Sequence, residues 1–346
     1  GPVLTYVSDM MGRDDDSFIR ILDTSTQVLT NLSQDSHFKG FFYMNLFCMS
    51  QTGLNIIQKW LIPQGVTLSA FTLYRNATNF TVIATLVYLS GRRPFTDFPR
   101  SLRGTMVLRS IFGTIGFIGM AYNLTLLPMA VIMIIYQTNP FWNSLLSYWV
   151  NGDPVQKVEI VAMIICFIGV VIIATSKLGQ DFSLTDTSLG DTTVAMQVGG
   201  GILAFGLAWQ FAIVGTLNRK MKDLHFTVIM YNHTLLGMFI AVIWLTISAL
   251  VSQEIPLLYS AHQYWLIGAA CVCDVISVNS LTIAYQADKA AFVSLVGQLN
   301  IVYAFTADYF IFDQVPSSLE IKGAAMIVCV TLFIGILKLR ESERSS

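Results

Sequence analysis

AYNLTLLPMAVIMIIYQTNPFWNSLLSYWVNGDPVQKVEI, residues 121–160, is echoed later in the chain by AYQADKAAFVSLVGQLNIVYAFTADYFIFDQVPSSLEI, residues 284–321. The Ala121-Tyr122 and Ala284-Tyr285 pairs stand 163 apart, Pro154 and Pro316 stand 162 apart, and Glu159-Ile160 and Glu320-Ile321 stand 161 apart. In both copies a long apolar run ends in an acidic turn, and a second apolar run follows. A near-constant offset across two helix-length runs is an internal repeat, because the punctuation matches as well as the apolar filling.

Composition says where such a repeat lives. The chain has 346 residues, 54% of them hydrophobic and 12% charged. Soluble domains carry roughly 25% charge. Several separate runs reach the ~20 apolar residues that cross a hydrocarbon core, and period-2 alternation is missing. The expectation is an all-α membrane protein with ten transmembrane helices, at 40–61, 66–90, 103–125, 127–150, 155–176, 194–218, 225–251, 261–286, 289–312 and 317–338. The formal net charge of -1 gives nucleic acid no footing. The five cysteines sit in apolar runs, and Cys271 and Cys273 diverge on one helix, so neither a disulfide nor a metal site is expected. No cofactor is expected either.

Residues 1–38 read as a cytosolic tail. Its opening Gly1-Pro2 has the form of a tag-cleavage remnant, and the stretch from Asp14 to Leu32 suits a short amphipathic helix or a disordered arm. The first five-helix repeat is 39–176, the inter-repeat loop 177–193, the second repeat 194–338, and the C-terminal tail 339–346. Of 20 Lys and Arg, 15 fall on the side of the N-terminus, three (Lys59, Lys177, Lys322) on the other side, and Arg75 and Arg109 inside spans. That asymmetry puts both termini in the cytosol of a multi-pass protein of the plasma membrane or an endomembrane. Five spans per half is an odd number, so the second copy must insert upside down. Inverted five-helix repeats are a transporter architecture, with the solute site near the midplane.

The residues also resemble a known family. Phe71-Thr72-Leu73-Tyr74-Arg75 resembles the second-helix signature of the EamA-type branch of the drug/metabolite transporter superfamily. Ala121-Tyr122, Leu127-Pro128-Met129-Ala130 and Gln137-Thr138-Asn139-Pro140 resemble its helix 3–4 signature. Asn151-Gly152-Asp153-Pro154 departs from the usual Gly-Glu, with Asp153 in place of the glutamate and Asp313 at the matching place in the second half. The resemblance covers about residues 40–338 and is nearest to the G-type group of solute carrier family 35. It implies ten helices as two inverted repeats, and it specifies fold better than solute.

Polar groups inside the spans are candidates for function, since a mid-bilayer charge costs several kcal/mol unless paired or hydrated. Arg75 forms a stripe with Thr72 and Asn79. It reads as a contact for an anionic solute, or as a structural arginine that binds carbonyls or snorkels to the outer headgroups. Asp274, with Ser277 on the same face, reads as a coupling or substrate-facing carboxylate, as the counter-ion of Arg75, or as a protonated interhelical bond. Arg109 and Asp308 lie near span ends and read as snorkelling. Tyr136, Asn139, Asn143 and Ser147 form one face of span 4, bent by Pro140. Ser294, Gln298 and Tyr303 on span 9, Trp209 and Gln210 on span 6, and Tyr231 and His233 on span 7 complete the set. The alternative is that each makes an interhelical bond. Glycines in spans 3 and 6 read as close-packing surfaces.

The expected function is alternating-access transport of a small organic metabolite, with a carboxylate-bearing solute preferred. Spans 9 and 10 lack a mid-membrane Lys or Arg to hold the phosphates of a nucleotide sugar. A proton-coupled exporter of amphipathic or cationic compounds and a non-transporting scaffold are the alternatives. An intramembrane enzyme would need a catalytic cluster, and only isolated groups occur. The expected partners are the solute and the bilayer, with a homodimer left open.

Overall fold

The computed structural model describes residues 36–123, 135–181, 194–252, 259–312 and 317–345. Among them there is no strand. The helices are α1 (Ser36–Leu61), α2 (Leu68–Leu89), α3 (Arg103–Asn123), α4 (Asn139–Asn151), α5 (Lys157–Asp181), α6 (Val194–Lys220), α7 (Phe226–Ser252), α8 (Ala261–Ala287), α9 (Ala290–Val296), α10 (Leu299–Phe312) and α11 (Ser318–Ser345). The 14–32 stretch, Leu127–Ala130, Asp313 and residues 182–193 of the inter-repeat loop lie outside the described residues. α5 runs past the expected end of its span, and α11 continues as helix through the expected C-terminal tail.

Five described stretches combine the length and the hydropathy needed to cross a membrane: Gly199–Lys220, Phe226–Val251, Ala261–Ala287, Ala290–Ile311 and Ser318–Leu337. α1, α2, α3 and α5 have 26, 22, 21 and 25 residues. At about 1.5 Å per residue each reaches ~30 Å. Large apolar side chains face outward, as Phe239, Ile243, Ile247 and Leu250 do along α7. In water that stripe would be a liability. In lipid it is the solvated face.

Local chemistry sets the helix ends, and it recurs between the halves. Gly152 adopts φ 70° and its N–H donates to the Tyr148 carbonyl, which stops α4 in a left-handed cap. The next helix starts where the Glu159 carboxylate accepts the Gln156 N–H at 2.9 Å. In the second half the Glu320 carboxylate accepts the Ser317 N–H at 2.8 Å, while Ser317 Oγ accepts the Glu320 N–H at 3.2 Å. Both glutamates are buried. The repeated Glu-Ile pair is thus a repeated helix-start device, a side chain reaching back to an orphan amide.

The two long apolar runs of the repeat are both interrupted. The chain turns at Gln137-Thr138 just before α4, where Thr138 N–H bonds the Ile135 carbonyl and Phe141 N–H bonds the Thr138 carbonyl. It turns again at Gly297-Gln298 between α9 and α10, where Asn300 N–H bonds the Gly297 carbonyl. The first break accompanies Pro140, where a bend within a continuous span 127–150 was expected. The second replaces the continuous span expected at 289–312. Gly297 fits that turn because a Cβ there would lie 2.5 Å from Met44 Cε on α1.

The largest helix interfaces are α1–α8, α5–α11, α2–α7, α4–α6, α3–α6, α3–α7, α2–α8, α1–α10 and α4–α9. With α9 and α10 counted as one element, exchanging α1–α5 in order for α6–α11 turns this set into itself. The smaller α6–α8 contact has no such counterpart. Glycines permit several of the close approaches. Gly113, Gly116 and Gly119 on α3 lie against His233, Gln210 and Leu207. On α6, by contrast, a Cβ added at Gly199, Gly201 or Gly206 would meet no described atom of a neighbouring helix within 4 Å, so the expected close-packing role is not found at these three. The tightest approach to another backbone is α5 on α11, where a Cβ on Gly323 would sit 2.7 Å from the Gly169 carbonyl oxygen. Gly323→Val should cost about 1–3 kcal/mol by overpacking, read as a melting temperature several degrees lower in detergent. Gly201→Ala should leave that temperature unchanged or slightly raised, and an equal drop in both variants would refute the backbone contact.

Candidate functional site

α2 and α8 bring the two mid-span charges together. Arg75 Nη2 donates to Asp274 Oδ1, and Asn79 Nδ2 donates to Asp274 Oδ2. Asp274 is 2% exposed, Asn79 3% and Arg75 9%. Of the readings open for the two charges, mutual pairing is the one found, and snorkelling to the headgroups is not. The Phe117 ring on α3 lies 4.1 Å from Arg75 Cζ and covers the guanidinium. The pair is not saturated. Arg75 Nε and Nη1 and Asn79 Oδ1 are buried without a hydrogen-bond partner among the described residues.

A line of polar contacts leads from this pair to the helix breaks. Ser277, three residues after Asp274, donates to Gln51 Oε1 on α1 at 2.8 Å, and Gln51 Nε2 donates to Asn55 Oδ1 at 3.1 Å. Neighbouring Thr52 donates to Asn300 Oδ1 at 3.3 Å, just beyond the second break. At the breaks themselves Gln298 Nε2 donates to the Gln137 carbonyl at 3.4 Å, so the interruption of one half touches that of the other. Gln298 Oε1, Asn139 Oδ1 and Trp209 Nε1 are buried there without partners among the described residues. Trp209 stacks on Trp142 with centroids 4.9 Å apart, and Tyr136 packs against Phe211 at 5.5 Å.

Other candidates are consumed by structure. Asn143 donates to Tyr285 Oη at 2.8 Å and accepts from Thr216 at 3.2 Å. Gln210 donates to the Phe112 carbonyl at 2.7 Å, and Tyr303 donates to Asn45 on α1. Ser294 bonds the Ala291 carbonyl within its own helix. Tyr231 lies apart from the Arg75 pair, packed against Phe80 and Phe95. Arg109 does not snorkel. It is 3% exposed and reaches Asn218, Thr282 and Met230, because α6, α7 and α8 surround that part of α3. The side chain of Asp308 lies outside the described residues.

Gln51, Thr52, Asn300, Phe117 and Trp142 were missed. The amides and hydroxyl on α1 carried a signal, a polar i, i+1, i+4 set in an otherwise apolar run, but nothing in sequence tied it to Ser277. Asp153 accepts from Ser147 at 3.0 Å and from Arg219 Nε at 3.4 Å, so this departure from the family pattern serves a contact between α4 and α6.

Residues 38–175 match the EamA-like transporter family. A probable transport protein of Saccharomyces cerevisiae is 25% identical, with 77% of this chain and 78% of that protein covered. An S-adenosylmethionine uptake transporter of Rickettsia conorii is 23% identical over 85% and 91%. Solute carrier family 35 member G1 of Mus musculus is 24% identical over 84% and 77%. A solved crystal structure superposes with TM-score 0.66 at 13% identity, covering 86% of this chain and 96% of that one, which speaks to fold alone. Residues 38–175 are thus similar to EamA-like transporters, and relatives covering most of the chain are named as transporters, in agreement with a helical chain that carries membrane-length apolar helices around a buried polar centre.

Proposed function

We propose that this chain is an alternating-access carrier of a small organic metabolite bearing a carboxylate, bound against the Arg75–Asn79–Asp274 group. The observation that carries the reading is the half-used Arg75. One nitrogen holds Asp274, while Nε and Nη1 are buried and unpartnered beside the unpartnered acceptor Asn79 Oδ1. Free donors on one side and a free acceptor on the other suit a carboxylate with a donor nearby, as in an amino-acid head group. The Trp142–Trp209 stack and the unpartnered Trp209 Nε1 suit a flat or apolar remainder. Two relatives are named S-adenosylmethionine uptake transporters, and that solute carries both kinds of group.

Ten passes as two inverted five-helix repeats are the architecture we infer, with both termini cytosolic. The exchange-symmetric interfaces, the matched glutamate caps and the matched helix breaks support it. Discontinuous helices at a midplane site are a recurring transporter device. The N-terminal face is held shut by Arg219 on Asp153 and on the Gln286 carbonyl, by Gln286 on the Met221 and Leu224 carbonyls, and by His37 Nδ1 at 2.6 Å from Asp288. At the opposite face Tyr74, Tyr259 and Tyr264 cluster, and Gln263 bonds the Gln64 carbonyl at 3.0 Å. Rocking exchanges one of these seals for the other. In this reading Asp274 is the coupling group, because letting go of Arg75 makes the guanidinium available to the solute.

Flux in proteoliposomes tests this reading. Arg75→Gln should reduce uptake of a carboxylate solute ~10- to 100-fold relative to its methyl ester, the equivalent of one charge-assisted contact. Equal loss for both, in a protein that still folds, would leave Arg75 a scaffold. Asp274→Asn should abolish the pH dependence of uptake, and an unchanged pH profile would remove Asp274 from coupling. Trp209→Ala should raise KM several-fold for ring-bearing solutes while sparing small aliphatic ones.

A further inference from the structure

The loop from Gly91 to Arg103, which joins α2 to α3, carries Arg92, Arg93, Arg100 and Arg103 against one acid, Asp97. All four arginines are exposed, and none is in an ion pair among the described residues. Asp97 is committed to the backbone, since its Oδ2 accepts the Arg93 N–H at 2.6 Å. The loop is folded onto α7. Asn232 Nδ2 donates to the Pro94 carbonyl at 3.0 Å, and the Phe95 ring meets Tyr231 edge to face at 5.6 Å. Arg103 follows Arg100 by one 3₁₀ turn, and its N–H donates to the Arg100 carbonyl.

This cationic loop covers an apolar space. A cavity of about 480 Å³ is walled by Phe95 and Phe98 of the loop, Met106 and Val107 of α3, and Leu236 of α7. Arg103 and Ser110 line the same cavity. Seven residues separate these two along α3, which is ~10 Å at 1.5 Å per residue. Charge therefore marks the outer end of the cavity, and a hydroxyl lies two turns deeper. Ser110 is 2% exposed, and its Oγ has no hydrogen-bond partner among the described residues. A helical serine or threonine usually bonds a carbonyl of the preceding turn, as Thr114 does with the Ser110 carbonyl at 3.0 Å. Ser110 keeps its hydroxyl unspent. Beyond the cavity Ile111 and Ile115 on α3 and Phe239 and Ile243 on α7 are exposed, so its hydrocarbon wall runs on into the lipid-facing surface.

We propose that the cavity between the α2–α3 loop, α3 and α7 binds one anionic phospholipid from the leaflet on the side of the chain termini. Arg100 and Arg103 hold its phosphate, Ser110 donates to a glycerol ester oxygen, and one acyl chain lies against Phe98, Met106 and Leu236. Guanidinium groups suit phosphate oxygens, and basic segments next to a membrane span attract anionic headgroups. A soluble anion has no use for the apolar walls, and the excess positive charge of the loop disfavours a headgroup that carries its own cation. The bound lipid ties α3 to α7, two helices already in contact. The site is separate from the Arg75–Asp274 group and does not depend on the identity of the transported solute.

The test is thermal unfolding of the purified full chain in detergent, after bound lipid has been stripped and residual phosphorus assayed. Dioleoylphosphatidylserine, dioleoylphosphatidylcholine, oleate and inorganic phosphate are titrated in separate arms. The serine lipid should raise the melting temperature by about 3 °C, saturably, since a ligand of the folded state alone stabilises by mass action. The other three should act only at concentrations at least ~10-fold higher, or not at all. Arg100→Gln combined with Arg103→Gln, both at exposed positions, should raise the midpoint for the serine lipid ~10-fold and remove its advantage over the choline lipid. Val107→Trp, which fills the cavity without touching a charge, should weaken both lipids. Lys220→Gln combined with Lys222→Gln, on the next loop of the same face, should leave the response in place. No stabilisation by the serine lipid overturns the site, as does an equal response to the choline lipid, oleate or phosphate. So does a midpoint that either the arginine pair or Val107→Trp leaves unchanged, or one that the lysine pair shifts as far as the arginine pair does.

Discussion

The bundle's polar interior depends on the ion pair between Arg75 and Asp274. Each charge alone in the spans would be expensive, and each is affordable beside the other. Because the two sit on α2 and α8, the pairing joins the first half of the chain to the second where both halves are narrow in charge. Asn79 takes the second carboxylate oxygen and Phe117 takes the face of the guanidinium. The aspartate is then fully committed while the arginine is not. That asymmetry leaves two guanidinium nitrogens unspent, where a purely structural bridge would spend both partners.

Polarity spreads from this pair along a defined route. Ser277, Gln51, Thr52 and Asn300 carry it from α8 across α1 to the break between α9 and α10, and Gln298 carries it on to the break before α4. Interrupted helices expose carbonyls and amides that a continuous helix hides, so the breaks are themselves polar groups. Water has no entry to such a place unless the protein provides one. The chain has therefore concentrated side-chain and backbone polarity on one path, and left the outward faces of α7 and its neighbours to lipid.

Much of this was legible beforehand. Arg75 and Asp274 stand out in apolar runs, and their pairing was among the readings open. The repeat was visible because punctuation survives divergence better than apolar filling, and the Glu159 and Glu320 caps explain why that punctuation was kept. Other features were hidden for physical reasons. The break at Gly297 carries no proline, and the methionine packed against that glycine comes from a distant helix. Arg109 near a helix end has the same sequence signature whether it meets headgroups or three packed helices. Asn143, Gln210 and Tyr303 are polar, but sequence cannot say whether a neighbour has already used that polarity. Here neighbours have.

The contact of α5 with α11 has a mechanical meaning. Gly169 and Gly323 let the two backbones approach closely, and Ile327 and Ile173 pack over them. A carbonyl on one side and a branched side chain on the other leave no slack at either glycine, so this crossing works as a rivet that fixes the spacing of the two helices.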